Sequence, residues 1–149
     1  LVGGDGYCLL DSLRTYSPTT IELLTALQAI VWVHKDEHFA TNDVVHFDFN
    51  PSNILLKNGQ VSGVIDWDGT CAGDCTFDLA TLLFYAYDAR DVREQLLVAI
   101  RKRVSPGILR IYLAHLILRQ VDWSIRHHNQ ATVDSYLRVA ERILQDVHL

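Results

Sequence analysis

The strongest constraint on the fold is the Asn58-Gly59 pair, which lies between two runs of apolar and β-branched residues. A type I′ turn requires positive φ at both of its central positions, and Asn-Gly is a pair that adopts it readily. The sequence therefore predicts a β-hairpin with strands over 53–57 and 60–65. Because a two-residue turn brings the outer ends of the two strands side by side, Asn53 and Asp66 should lie near each other.

Helical patterns occupy most of the remaining chain. A capping box, in which Glu22 follows Thr19 by three residues, predicts a helix from Thr19 to about Phe39. After the hairpin we expect a loop and then helices only, and a short helix is allowed near the start of the chain. The predicted helices cover 9–15, 19–39, 77–87, 91–103, 106–128 and 132–147. The expected fold class is α+β and mainly helical, with one β-hairpin and about five helices in a single domain over 1–149.

Composition excludes several classes of function. The formal net charge of −5 argues against a nucleic-acid partner, because phosphate binding needs clustered Lys and Arg. No apolar run approaches the roughly 18 residues of a membrane span, so we expect no membrane contact and a cytoplasmic location. An odd number of cysteines argues against a disulfide framework. Cys71 and Cys75 are four residues apart, but no second pair completes a zinc site.

Polar residues at the two ends of the predicted hairpin suggest phosphoryl transfer. His46, Asp48 and Asn53 form the pattern H-x-D-x-x-x-x-N, and Asp66 closes the second strand. Phosphoryl transfer needs a carboxylate that accepts the proton of the attacking hydroxyl and oxygen ligands that hold Mg²⁺ against the nucleotide phosphates. Asp48 fits the base, Asn53 and Asp66 fit the metal ligands, and His46 fits a supporting residue that hydrogen-bonds backbone in the loop.

The same order of residues occurs in the catalytic loop and metal-binding aspartate of protein kinases. In detail, 44–80 resembles the aminoglycoside phosphotransferase and choline kinase superfamily of small-molecule kinases. The pattern of that superfamily runs roughly H-G-D-L-H-P-G-N-I-L, then I-D-W-E/D, then G-D-P-x-x-D-L-A. The matching residues here are His46, Asp48, Pro51, Asn53, Ile54 and Leu55, then Ile65, Asp66 and Trp67, then Gly73, Asp74, Asp78, Leu79 and Ala80.

The resemblance implies a C-terminal lobe of a protein-kinase-like fold. By analogy Asp48 is the catalytic base, Asn53 and Asp66 bind Mg²⁺, ATP is the co-substrate, and the acceptor is a hydroxyl on a small molecule such as an aminoglycoside, choline or another amino-alcohol. Asp78 matches the aspartate that braces the catalytic loop, and Asp74 should cap the following helix. The chain departs from the pattern at four positions, which are Phe47 and Ser52 in place of Gly, Asn50 in place of His, and Cys75 in place of Pro.

A kinase of this type also needs an N-terminal lobe with a lysine that binds the α- and β-phosphates. The lysines of this chain are Lys35, Lys57 and Lys102, and none follows a glycine-rich loop on a strand. We therefore expect the chain to be the C-terminal lobe of a larger protein, with the N-terminal lobe of the same protein as its partner. Alone it should have little or no activity, and its uncovered face should favour self-association.

Two other interpretations stay open at this stage. The stretch V-I-D-W-D-G-T also resembles the first motif of haloacid-dehalogenase-like phosphatases, with Asp66 as nucleophile and Asp68 as general acid/base. That fold needs a parallel sheet of alternating strands and helices, whereas Asp66 here follows a predicted hairpin. In the kinase interpretation Asp68 is either an exposed acid or a supporting residue near the metal. The chain could also be a non-catalytic, kinase-like binding module.

Overall fold

A computed structural model of the chain describes residues 10–146, which contain six α-helices and four β-strands. These residues divide into two compact units, one formed by 10–37 with 106–146 and the other by 38–105. The single-domain assignment stays a prediction, because a division into compact units does not test it. Within the described residues, no helix combines the length and the apolar character needed to cross a membrane.

Four helices form the first unit. They are α1 (Leu10–Tyr16), α2 (Pro18–Val33), α5 (Pro106–His127) and α6 (Gln130–Gln145). Helix α5 packs against each of the other three, which explains why it is apolar on nearly all sides. The fully buried side chains of this unit include Leu13, Leu27, Leu113, Leu116, Ile117, Leu118 and Val121.

The predicted ends of α2 were wrong at both termini. Ser17 is the N-cap, and it forms a capping box with Thr20 rather than the predicted box of Thr19 with Glu22. Pro18 explains the difference, because proline is favoured at the first helical position and so makes the preceding residue the cap. The helix ends at Val33 instead of about Phe39, where the sequence turns to charged residues that have no apolar face to bury.

The second unit holds the strands and two helices. In chain order these are β1 (Asp43–Val45), β2 (Ile54–Lys57), β3 (Gln60–Val64), β4 (Cys71–Gly73), α3 (Thr76–Tyr85) and α4 (Arg90–Arg101). Helices α3 and α4 pack on each other and bury Phe84, Leu83 and Ile100. The main helical content and the β2–β3 hairpin confirm the predicted fold class. The helices number six among the described residues because the short first helix forms.

The β2–β3 hairpin has the predicted turn. Asn58 has φ 53° and Gly59 has φ 76°, as a type I′ turn requires. The strands pair from Lys57 opposite Gln60 to Ile54 opposite Val64, with an irregularity between Leu55 and Leu56.

A second antiparallel sheet, between β1 and β4, was not predicted. Its register places Asp43 opposite Gly73 and Val45 opposite Cys71. Gly73 allows this close approach, because a Cβ atom at that position would lie 3.1 Å from Cγ2 of Val45. The sheet leads on one side into His46 and on the other into α3, so it joins the two segments that carry the motif.

Candidate active site

The loop between β1 and β2 is anchored at its start by Asp78 of helix α3. The Asp78 carboxylate accepts hydrogen bonds from the backbone N–H of His46 at 2.8 Å and of Phe47 at 3.0 Å. Hydrogen bonds to an ionised carboxylate are stronger than neutral ones. The position of the loop is therefore determined by a helix that follows it by about thirty residues in the sequence.

His46 connects the start of this loop to the end of strand β3. Its buried ring accepts a hydrogen bond at Nδ1 from the backbone N–H of Asp48 at 3.3 Å. Its Nε2 lies 2.9 Å from the carbonyl oxygen of Ile65, so the pattern fits a ring that carries its proton on Nε2. The Trp67 ring packs on it with centroids 4.6 Å apart. His46 thus hydrogen-bonds the backbone of Asp48 and of Ile65, the residue before Asp66.

Asp48 and Asn53 are joined directly. Asn53 is buried, and its Nδ2 donates to the carbonyl oxygen of Asp48 at 2.9 Å and to Oδ2 of Asp48 at 3.3 Å. Asn53 ends a short 3₁₀ turn, Pro51–Asn53, in which the side chain of Asn50 accepts from the N–H of Ser52. Because both contacts use the amide nitrogen, the amide orientation is determined, and Oδ1 accepts no hydrogen bond within the described residues.

Asp66 lies immediately beyond the hairpin. The N–H of Ile65 donates to the carbonyl oxygen of Asn53 at 3.0 Å, which extends the strand pairing by one step. The hairpin therefore places Asn53 beside Ile65, the residue before Asp66, in line with the predicted proximity of Asn53 and Asp66. Asp66 has left-handed backbone angles, φ 65° and ψ 56°, and precedes the 3₁₀ turn Trp67–Gly69. Its exposed side chain makes no capping hydrogen bond, and Asp68 is exposed within that turn.

One departure from the family pattern changes the backbone. Phe47 has φ 71°, a conformation that glycine adopts without strain and that bulky residues rarely adopt. Ser52, which also stands where the pattern has glycine, is not among the described residues with positive φ. Of the two residues that replace glycine, Phe47 is therefore the one whose backbone adopts a conformation that favours glycine.

The structure also brings together Asp43, Asp74 and Cys75, with donor atoms within 4.8 Å of one another. Asp43 accepts from the N–H of Cys75 at 3.2 Å, and hydrogen bonds from Cys75 lower the pKa of the Asp43 carboxyl. The contact with Asp43 raises the pKa of the Cys75 thiol, which keeps it protonated. Asp74 accepts from the N–H of Thr76, the first residue of α3, at 2.8 Å, but the N-cap of α3 is Cys75 and not Asp74 as predicted. These contacts attach β1 to the start of α3.

Comparisons with known proteins all identify phosphotransferases as similar to this chain. The model of the phosphotransferase enzyme family, APH, matches residues 14–112, about two thirds of the chain. The chain belongs to this family. A stretch of 42 residues is 38% identical to hygromycin-B 4-O-kinase from Escherichia coli, covering 28% of this chain and 12% of that protein.

A solved structure has a similar fold over most of this chain. The crystal structure of a thermostable mutant of aminoglycoside phosphotransferase APH(4)-Ia, in its apo form, matches with a TM-score of 0.63. The match covers 87% of this chain at 24% identity, and 44% of the solved chain. The chain therefore spans less than half the length of these relatives.

Membership of the phosphotransferase family also bears on the alternative with Asp66 as a phosphatase nucleophile. That interpretation needs a parallel sheet, but both sheets in residues 10–146 are antiparallel. Asp66 follows the returning strand of a hairpin, so the structure lacks the context which the phosphatase motif requires.

Proposed function

We propose that the chain is the catalytic C-terminal lobe of an ATP-dependent phosphotransferase that acts on a hydroxyl of a small molecule. Family membership supports the reaction class. The relatives are named as a hygromycin-B kinase and an aminoglycoside phosphotransferase, which supports an acceptor of aminoglycoside or amino-alcohol type. In this proposal Asp48 is the catalytic base, Asn53 and Asp66 are the metal ligands, and His46, Asp68 and Asp78 are supporting residues.

The observation that carries the proposal is the double contact between Asn53 and Asp48. It holds Oδ2 of Asp48 at 3.3 Å from the amide nitrogen of Asn53, and the amide oxygen of Asn53 takes no part in the contact. A positioned carboxylate can accept the proton of an attacking hydroxyl as that hydroxyl attacks the γ-phosphorus. One short segment thus supplies both an oriented base and an oriented oxygen ligand.

The donor set suits Mg²⁺. Oδ1 of Asn53 and the carboxylate of Asp66 are hard oxygen ligands, and Mg²⁺ typically binds one or two such groups while the substrate phosphates and water complete its shell. When bound, the ion neutralises charge on the phosphate oxygens. Asp66 makes no capping hydrogen bond, so its carboxylate needs to break none in order to bind a cation.

The chain offers no lysine in a position typical of the nucleotide lobe. Lys35 follows α2 and lies over the Trp32 ring, Lys57 ends β2, and Lys102 caps α4. The proposal therefore assigns the grip on the α- and β-phosphates to an N-terminal lobe of the same protein, and low activity to the chain alone.

Exposed apolar residues on the hairpin support such a partner. Leu56 and Val61 face each other across the strands near the turn and are 68% and 66% exposed. Large apolar side chains in this position are typical of a surface that another part of a protein covers. When the N-terminal lobe is absent, the same surface should promote self-association.

Calorimetry of Mg·ATP binding to the 149-residue chain tests the metal site. We expect weak binding that requires Mg²⁺, that Asp66→Asn abolishes, and that Asp48→Asn largely retains because the base acts in the chemical step. Asp91→Asn, at an exposed acid in the first turn of α4, is the matched control for the change in charge. Binding that ignores Mg²⁺, or that survives Asp66→Asn, would contradict the assignment of Asp66.

The acceptor is tested on the longer protein that carries the upstream lobe. It should transfer the γ-phosphoryl group of ATP to a hydroxyl in a panel of aminoglycosides and amino-alcohols, and Asp48→Asn should abolish the transfer. Activity that persists in Asp48→Asn would remove Asp48 as the base. If the unsubstituted longer protein binds no Mg·ATP, the result would favour a non-catalytic binding module.

A further inference from the structure

The Phe47 side chain stands where the related pattern has no side chain at all. Its backbone is in the left-handed region, with φ 71°, which glycine tolerates and which an aromatic residue adopts only when its surroundings impose it. The two backbone contacts of Asp78 help to impose this conformation, since one of them is donated by the N–H of Phe47 itself. Specific contacts thus compensate for the backbone strain that arises because Phe47 stands in place of glycine.

The ring of Phe47 contacts one further segment, and the Phe47 side chain lies near another. It stacks on Phe77 of helix α3, with ring centroids 5.3 Å apart and planes inclined by 15°. On another side, a Cβ atom added to Gly69 would lie 3.7 Å from Cβ and 3.8 Å from Cδ1 of Phe47. Gly69 ends the 3₁₀ turn that begins directly after Asp66. One side chain therefore lies between the loop of Asp48, the turn after Asp66, and helix α3.

We propose that Phe47 is a positioning residue, whose ring packs between helix α3 and the Trp67–Gly69 turn and so determines where Asp66 lies relative to Asp48. This inference rests on the proposed function, because it concerns the spacing of the proposed base and metal ligand. A glycine at this position would accept the same backbone angles but would leave the turn without this packing contact. In this proposal the chain accepts backbone strain at Phe47 and gains a side chain beside the turn that follows Asp66.

Two substitutions at Phe47 separate the effect of the backbone strain from the effect of the ring. Phe47→Gly removes the ring and relieves the strain, whereas Phe47→Ala removes the ring and keeps the strained conformation. If the ring positions Asp66, both variants should bind Mg·ATP roughly tenfold more weakly or worse, the effect typical of residues that orient metal ligands. Phe47→Gly should nevertheless unfold at a higher temperature than Phe47→Ala, and Phe47→Tyr, which restores the ring, should recover most of the affinity.

A second measurement reports on the turn without any ligand. In the background Trp32→Phe with Trp123→Phe, the remaining tryptophan is Trp67, which lies within the turn. Acrylamide should quench its fluorescence more strongly in Phe47→Gly than in the parent, while the helical circular dichroism stays the same. Phe39→Ala, which removes a half-exposed ring outside the loop, is the control and should change neither signal.

The outcomes distinguish the inference from the function. Unchanged quenching of Trp67 in Phe47→Gly overturns the positioning assignment, whether or not nucleotide binds. Equal Mg·ATP affinities of the parent and Phe47→Gly overturn it as well. A longer protein that carries the upstream lobe and binds no Mg·ATP overturns the proposed function, while the quenching comparison still decides the packing of the turn.

Discussion

Substitution of Asp78 by asparagine tests whether helix α3 holds the loop between β1 and β2. The Asp78 carboxylate accepts two backbone N–H groups, from His46 at 2.8 Å and Phe47 at 3.0 Å. Asparagine retains one oxygen acceptor, but it places an amide N–H₂ against the second N–H and removes the negative charge. One charge-assisted hydrogen bond is lost and the other is weakened.

The expected magnitude follows from these contacts. Hydrogen bonds to charged groups contribute about 1.5–3 kcal/mol each, and an unsatisfied buried donor adds a further penalty. We therefore expect Asp78→Asn to lower the free energy of unfolding by about 3 kcal/mol. With an m-value of about 2 kcal/mol/M, this loss lowers the urea midpoint by about 1.5 M.

Urea unfolding of the 149-residue chain, followed by circular dichroism at 222 nm, measures this shift. The control is Asp91→Asn, which makes the same charge change on the surface of α4 and should stay within about 0.5 kcal/mol. Amide hydrogen exchange gives the local result, since the N–H groups of His46 and Phe47 should lose protection in Asp78→Asn. A midpoint shift below about 0.25 M, with both amides still protected, would refute the anchoring by Asp78.

Two further predictions concern the first unit. Asp122 is fully buried and accepts from Nε of Arg126 at 3.0 Å, from Nη2 of Arg126 at 2.8 Å and from the hydroxyl of Ser12 at 2.6 Å, so Asp122→Ala should cost about 3 kcal/mol in thermal or urea unfolding. A loss below about 1 kcal/mol would show that the pair is not needed. Burial, with the charge of Arg119, lowers the pKa of His115 from 6.5 to about 4. The unfolded chain therefore takes up this proton at higher pH than the folded chain, so stability should fall as pH drops from about 6.5 to about 4, by about 3 kcal/mol in total. His115→Gln should remove this part of the pH dependence, and an unchanged profile would exclude His115 as its source.

The hairpin and the order of the motif residues could be predicted because both depend on local chemistry. The Asn58-Gly59 turn specifies positive φ at two adjacent residues, and the strand lengths then bring Asn53 next to Ile65. The predicted fold class and the resemblance to the phosphotransferase family both rested on the hairpin and the motif residues, and the family is confirmed. The start of α5 at Pro106 could likewise be predicted, since proline is favoured at the first helical position.

The features that could not be predicted depend on contacts between distant residues. The pairing of β1 with β4 joins Asp43 to Gly73, and the two short strands have no alternating pattern of their own. The positive φ of Phe47 is also non-local, because the Asp78 carboxylate and the Phe77 ring that accompany it come from helix α3. Sequence reasoning could flag the missing glycine at this position, but it could not show how the chain compensates for it.

The residues of the proposed site differ in whether their side chains bond the backbone of the loop or lie exposed. Asp78 and His46 use their polar side-chain atoms on backbone groups, whereas Asp66 is exposed and makes no capping hydrogen bond. Asparagine adopts left-handed backbone angles at least as readily as aspartate, so Asp66→Asn should leave the urea midpoint nearly unchanged. Asp78→Asn should instead lower both the midpoint and the Mg·ATP affinity. Loss of affinity without loss of stability is therefore the expected signature of a metal ligand here, and loss of both is the signature of a residue that holds the loop.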